Sequence, residues 1–371
     1  MPKQGMILCL VVMRIRSLNI HKIKSSFVTF TVLYFLTFNV YTCKNIITQN
    51  NESDFLTNIL FVSFLNDIAY SNNLQSIAKT KIGSLPVSSP GSENDTIAIV
   101  ELGNKIFRDI NLSENRIQAC ITCHPLNGRS AGMDRQSTSR GTFGQLGKRN
   151  TPTILNIGFS NVIFWDGRRN QLYDQAIDPF INPMEMSLPS ETELIQRIQN
   201  DPTYQEYFIN AFPEDPNPTL HHVRTSISAF ERSLISNSRY DDFINGNLIA
   251  MTRQELDGLK LFMEIGCTNC HSGFTLGGNG FGRLENPSLY NPNDLGKFEV
   301  TGDPNDRYVF KVPSLRNVSL TQPYFHDGSV STLNEAIERM NAYELNRNIQ
   351  KQEIDTLILF LKTLSDKTKT N

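Results

Sequence analysis

Tryptophan, histidine and cysteine are scarce in this chain of 371 residues, which has one Trp, six His and six Cys. Charge of one sign is missing too. With 35 basic and 37 acidic residues the net charge is −2, which excludes the basic patch a nucleic-acid partner demands and singles out no other electrostatic partner. No sustained alternation of apolar and polar residues announces a sheet. The apolar run at residues 27–41 falls short of the roughly 20 residues a membrane-spanning helix wants.

Against that scarcity, four of the six cysteines fall in two copies of one pentapeptide, Cys120-Ile121-Thr122-Cys123-His124 and Cys267-Thr268-Asn269-Cys270-His271. Cys-x-x-Cys-His is the attachment signature of a c-type haem: two thiols add to the porphyrin vinyl groups and the histidine of the same turn ligates iron. A four-cysteine zinc site would leave both adjacent histidines unexplained. A pair of thioredoxin-like dithiols would want a βαβ pattern before each motif, and none precedes either. The motifs predict two covalently bound haem c groups, with His124 and His271 as iron ligands.

The N-terminus predicts export. Arg14, Arg16, Lys22 and Lys24 precede the apolar run, and Cys43 follows it, the pattern of a secretory signal with Met13 as the more ordinary start. Cys43 suits lipid attachment, although Val40-Tyr41-Thr42 departs from the usual small residues; an uncleaved anchor is the alternative. Either agrees with c-type haem, which is attached outside the cytoplasm. The expected location is the periplasm or outer envelope, as a free protein or a membrane-tethered lipoprotein. Residues 1–43 are thus an export segment, and what remains is enough for two domains. Residues 44–95, rich in Asn and Ser, read as a tether and linker with a short helix at 61–68.

The haem motif repeats together with its surroundings. Gly103-x-Lys105-x-Phe107 precedes the first and Gly258-x-Lys260-x-Phe262 the second. Downstream, Pro152-x-x-x-Asn156 is followed nine residues later by Trp165-Asp166-Gly167, and Pro313-x-x-x-Asn317 nine residues later by His326-Asp327-Gly328. Duplication of one haem-binding domain accounts for all of these. The spacing Val223, Ile227, Phe230, Leu234 predicts a helix, as does Ile354, Leu357, Ile358, Leu361, and Thr252-x-x-Glu255 reads as a capping box. The expected architecture is mostly α: two tandem cytochrome c-like haem domains, at 96–250 and 251–371.

The halves differ where iron chemistry is decided. A haem that only transfers electrons wants both axial positions filled, whereas one that does chemistry keeps a position open. Met340 lies fourteen residues past His326 on a segment with helical spacing, 333–343, and is the expected second ligand of the second haem; Tyr343 is its competitor. Fourteen residues past Trp165 stands Pro179, which cannot bind iron. The expectation is a closed second haem and an open first one.

From about residue 98 onward the chain resembles the bacterial di-haem cytochrome c peroxidases. The resemblance is carried by Leu112-Ser113, Arg149-Asn150-Thr151-Pro152-Thr153, Phe164-Trp165-Asp166-Gly167-Arg168, Gln175-Ala176, Asn182-Pro183-Met184-Glu185-Met186, Ser228-Ala229-Phe230-Glu231-Arg232 and Tyr324-Phe325-His326-Asp327-Gly328. It implies a peroxide-reducing first haem with Glu185 and Gln175 in the distal pocket. Glu185 would move the proton and Gln175 orient the peroxide. It implies that Trp165 lies between the haems as electron relay or packing wedge. It also implies a calcium ion between the domains at Asn150, Thr321 and Pro323, the last two through backbone carbonyls. The implied donor is a small cytochrome c or cupredoxin, and a homodimer is left open. His221 and His222 match no family ligand and read as surface. One departure stands out: many members carry a histidine after the first haem motif that caps the first haem at rest. Here the matching place is near Thr142, and no histidine occurs between His124 and His221. Two alternatives accompany the peroxidase reading. A related di-haem oxidase that modifies a partner protein is expected to carry tyrosine where this chain has Met340. A plain electron carrier or redox sensor would need both irons closed.

Overall fold

The computed structural model describes residues 52–369. The expected export segment, Cys43 and the start of the expected tether lie outside the described residues. The chain divides into two compact units, Met1–Ala69 and Tyr70–Asn371. The described part of the first is the opening of helix α1 (Glu52–Lys81), whose Leu60 and Phe64 are exposed. No helix among the described residues is long and apolar enough to cross a membrane.

The linker expected through residue 95 is corrected in the second unit. There Leu74, Ala78 and Ile82 recur every fourth residue and are buried, so the last turns of α1 join a core. Further on, Asp95 pairs through both oxygens with Arg232 at 2.6 Å. The Asn- and Ser-rich composition hides this stripe because Ser71 and Gln75 are buried on it beside Leu74 and Ala78, while Asn72, Asn73 and Lys79 are exposed. Likewise, the short helix expected at 61–68 lies inside the 30-residue α1.

Two hydrophobic cores follow. The first gathers α2 (Ile97–Arg108), α3 (Glu191–Asn200), α4 (Gln205–Ala211) and α5 (Leu220–Ser233) around Leu102, Ile106, Phe180, Leu194, Tyr204, Val223 and Ile227. Hydroxyl caps open three of these helices: Thr96 for α2, Ser190 for α3 and Thr219 for α5. The second core gathers the end of α1, α6 (Arg239–Ile244), α7 (Arg253–Glu264), α8 (Leu333–Arg339) and α9 (Lys351–Thr363) around Tyr240, Leu259, Phe262, Leu357 and Phe360. The capping box at Thr252 and Glu255 is present at the start of α7. Tyr240, Phe243 and Ile244 of α6 pack with α7 and α9 in this core. The one sheet among the described residues is a short antiparallel pair, β1 (Phe281–Arg283) with β2 (Val309–Lys311), in register Gly282 to Phe310.

The repeat seen in the sequence is also a repeat of backbone. Gly103 of α2 lies so close to α5 that a Cβ would sit 1.9 Å from the carbonyl oxygen of Ser226. Gly258 of α7 meets the carbonyl of Thr356 on α9 in the same way, at 2.3 Å. In each half only glycine lets the two helices cross. Asn156 and Asn317 both take a left-handed turn (φ +62° and +64°) into a short 3-10 helix. Phe164 and Phe325 are left-handed as well, at +64° and +68°, a costly conformation for a bulky side chain. They turn the chain immediately before Trp165 and His326.

Candidate active site

Cys120–Cys123 forms a single helical turn and Cys267–Asn269 a 3-10 turn, each ending at its histidine. The four thiols are free, and the two pairs lie in different cores: Cys120 against the first, Cys267 against the second. A shared four-cysteine zinc site is therefore excluded. Burial pushes the Cys123 thiol up to about 11 and Cys267 to about 12.

The two imidazoles are held alike. Nδ1 of His124 lies 2.9 Å from the carbonyl oxygen of Gly132, and Nδ1 of His271 lies 3.1 Å from that of Leu276. The carbonyls of Pro152 and Pro313, equivalent in the repeat, also face these rings. Burial lowers both histidines, which keeps them neutral. A carbonyl on Nδ1 fixes the tautomer and leaves Nε2 to a metal. Two adjacent neutral thiols and one such imidazole fit a covalently attached haem at each motif. The second loop is braced from behind: buried Arg316 donates to the carbonyl of Phe274 at 2.7 Å and to both oxygens of Asp241 at 2.8 Å.

Glu185 is half-buried, and Asn182 Nδ2 donates to its Oε1 at 2.7 Å. Burial pushes its carboxyl above the usual range, against the pull of Asn182 and Arg168. Asn182 was part of the quoted motif, but its grip on Glu185 needed the turn that follows Asp178–Ile181. Gln175 ends the one-turn helix Leu172–Gln175 and makes no side-chain hydrogen bond. Across from Glu185 runs the loop 137–147. The amide of Thr142 donates to the Glu185 carbonyl at 2.8 Å, Asn115 and Thr142 bond each other twice, and Gln118 Nε2 donates to the carbonyl of Arg140 at 2.9 Å. Thr142 thus lies buried beside Glu185.

Two other residues of this stretch bear groups able to bind iron, and both are accounted for. Lys148 Nζ is bonded to Glu299 and lies 3.8 Å from Asp294. Met133 is buried next to Gly132, whose carbonyl faces Nδ1 of His124 and so lies behind the ring, away from Nε2.

Trp165 and His326 occupy equivalent places in the repeat and meet. Their rings are 6.5 Å apart at 71°, and Phe310 stacks on His326 at 4.0 Å. The indole N–H donates to the carbonyl of Asn150 at 2.8 Å, and the Asn150 amide donates to the carbonyl of His326 at 2.7 Å. Asn150 therefore lies against the strand that carries Pro323, while its side-chain amide donates to Gln136 at 2.8 Å. Beside it Arg149 binds both oxygens of Asp294 at 2.7 Å and one of Asp166 at 2.5 Å. Burial would raise Asp294, but the guanidinium outweighs it and holds the carboxyl below its usual range. Nothing in the spacing of the sequence pointed to Asp294.

Met340 opens a π-helical turn, Met340–Glu344, at the end of α8 and is half-buried, whereas Tyr343 is exposed. Wide turns of this kind often mark functional positions. His222 corrects the expectation for the histidine pair: His221 is exposed, but His222 is buried, stacked on Phe212 at 4.0 Å, with Nδ1 2.9 Å from the carbonyl of Asn217. Its place on the inner face of α5 beside Val223 explains this.

The family model described as di-haem cytochrome c peroxidase matches residues 97–248. The chain is 38% identical over 287 residues to the cytochrome c551 peroxidase of Nitrosomonas europaea, spanning 76% of this chain and 83% of that one. It is 36% identical to the cytochrome c551 peroxidase of Pseudomonas aeruginosa, over 83% of this chain and 91% of the relative. Among solved structures, a MauG-like protein associated with microbial copper homeostasis superposes with a TM-score of 0.66 at 30% identity, covering 76% of this chain and 93% of that one. The chain belongs to the di-haem cytochrome c peroxidase family: it is a peroxidase oxidoreductase with haem c as its cofactor.

Proposed function

We propose that this is an exported tandem-haem peroxidase that reduces H2O2 to two waters with two electrons and two protons. A small cytochrome c or cupredoxin delivers the electrons to the haem on His271. The observation that carries the reading is Glu185: a half-buried carboxyl, raised by burial, in a pocket whose neighbouring loop offers Thr142 where a capping histidine would stand. Haem, when bound, would supply the redox-active iron for peroxide reduction. The chain's own residues do the rest. His124 holds the first iron, attached through Cys120 and Cys123. Glu185 takes the proton from the near oxygen of peroxide and returns it to the leaving one, while Asn182 fixes its orientation. Gln175, with its amide free, orients the substrate.

At the second motif Cys267 and Cys270 would hold haem, with His271 and Met340 as the side chains that would ligate its iron, an arrangement that suits electron transfer. Trp165, in edge contact with His326, carries electrons between the halves. Asn150, with the carbonyls of Thr321 and Pro323, offers the oxygen-only ligation that calcium prefers. The protein acts in the periplasm or outer envelope, and lipid attachment at Cys43 would tether it. Met340, where the partner-modifying oxidases are expected to carry tyrosine, favours the peroxidase over that class.

An optical titration of the holoprotein with peroxide, before and after reduction, tests the assignment. Turnover with a reduced small cytochrome and two haems retained after denaturation are expected. Absence of a peroxide-dependent spectral change in both states would overturn it.

A further inference from the structure

Strand β2 ends at Lys311, whose side chain turns into the contact between the halves. Its Nζ donates to Ser160 Oγ at 2.9 Å, and that hydroxyl lies 2.5 Å from the carbonyl oxygen of Gly278 and 2.8 Å from that of Val162. The Lys311 backbone N–H donates to the carbonyl of Trp165 at 2.8 Å. Ser160 takes one of the three protons that an ammonium can donate. Lys311 is half-buried, and desolvation of its ammonium alone brings it down to about 8. Asp166, Asp294, Glu299 and Asp306, on the segments that border β2, are paired instead with Arg149, Lys148 or Lys297. A desolvated ammonium with one neutral partner is costly, and such a charge is tolerated when an opposite one accompanies it.

The surroundings of His271 show where that opposite charge would come from. A Cβ on Gly277 would lie 3.2 Å from Nδ1 of His271, and the Pro313 carbonyl faces the same ring. The Gly278 N–H donates to the carbonyl of Val312 at 2.7 Å, so residues 277–278 and 311–313 run together beside this imidazole. Lys311 and the Ser160 hydroxyl it holds therefore stand at the rim of the second haem motif. A c-type haem is fixed through its vinyl groups and its iron. Its two propionate carboxylates are left to find partners in the protein.

We propose that Lys311 binds a propionate of the haem seated on His271, in a carboxylate site to which Ser160 of the first half contributes by holding the lysine. The inference rests on the tandem-haem reading above. The N–H groups that Ser160 does not take match the oxygens of a carboxylate, and the bond is charge-assisted. With that partner the ammonium keeps the proton that burial alone would loosen. The pair also cancels one negative charge at the haem. A cation near iron favours the reduced metal, so Lys311 raises the potential of the haem at which electrons are proposed to enter. A propionate of the first haem is the rival partner, because Ser160 belongs to that half. The packing of Gly277 and Pro313 against His271 favours the second.

Resonance Raman spectroscopy and spectroelectrochemical titration of the holoprotein test the site. In K311M a propionate bending band should shift, as such a band does when its hydrogen bond is lost. The midpoint potential of the second haem should fall while that of the first holds. K311R should keep the potential near that of the natural protein yet still move the band, because a planar fork replaces the ammonium. K297M, which removes a lysine already paired with Asp306, should change neither. A lysine that served packing alone would cost stability and leave band and potentials in place. An unmoved band in K311M overturns the proposal; should K311M fail to fold, an unmoved band in K311R does the same. A fall confined to the first haem overturns it too. None of these measurements uses peroxide, so their failure leaves the peroxidase reading intact, whereas a holoprotein with a single haem would overturn the tandem-haem reading itself.

Discussion

At the scale of single residues, proton transfer separates Glu185 from its neighbours. A group that both accepts and returns a proton works best when its pKa lies near the working pH, and burial moves Glu185 in that direction. Glu185→Gln should lower peroxide turnover by roughly a hundred- to ten-thousand-fold, as removal of a general acid–base usually does. Gln175→Ala should cost less, since the amide orients and transfers nothing. The base must be ionised to begin, so activity should fall as pH drops through a value above the ordinary ~4.3 of glutamate. A pH–rate profile checks the sign: in Glu185→Gln that acid limb should vanish. As the proposed ligand of the second haem, Met340 would act on potential rather than protons. Met340→Leu should lower the potential of the second haem in a spectroelectrochemical titration and slow electron entry, with peroxide binding at the first haem retained.

One element sets the resting state. The loop 137–147 is tied to the first haem motif through Gln118, to Asn115, and to Glu185 through the Thr142 amide. A side chain that capped the first iron from this loop would have to leave before substrate entered; threonine imposes no such step. Lys148 is engaged by Glu299. The oxidised protein as isolated should therefore give a high-spin ferric signal from the first haem and react with peroxide without prior reduction. Two low-spin signals, with activity only after half-reduction, would contradict this.

Across the whole molecule the halves are joined where Arg149 meets Asp294. Asp294 is 1% exposed and its two oxygens are both bound by Arg149, with Asp166 on the same guanidinium. Removing one partner of such a pair leaves a buried charge unmatched, at a cost of about 3–5 kcal/mol. Arg149→Met should lower stability by that order in denaturant unfolding of the holoprotein, and Arg149→Met combined with Asp294→Asn should recover part of it. The acid dependence has a definite sign. The folded pKa of Asp294 lies below its unfolded value of ~3.9, so the stabilisation is full above that value and lost as pH falls through the folded one. Asp294→Asn should flatten the acid side of the stability curve.

Much of this protein was legible in its residues because the chemistry is local. Two thiols and a histidine on one turn announce haem wherever the chain folds, and the repeat of Gly103 at Gly258 and of Asn156 at Asn317 announced the duplicated frame. Those positions were readable because helix crossing and left-handed turns demand particular residue types. The capping box at Thr252 and the apolar faces of α5 and α9 follow equally local rules. The stripe that ties residues 70–82 to the second core lay hidden among polar neighbours, and no spacing told that Tyr240 and Phe243 of α6 would find their partners in α7 and α9. The Arg149–Asp294 pair joins residues far apart in the chain, and the Trp165–His326 ring contact brings one half against the other. No spacing rule encodes such meetings. Residue type and spacing determine what a short segment can bind, whereas which charges and rings face each other across two cores is decided only when both cores are packed.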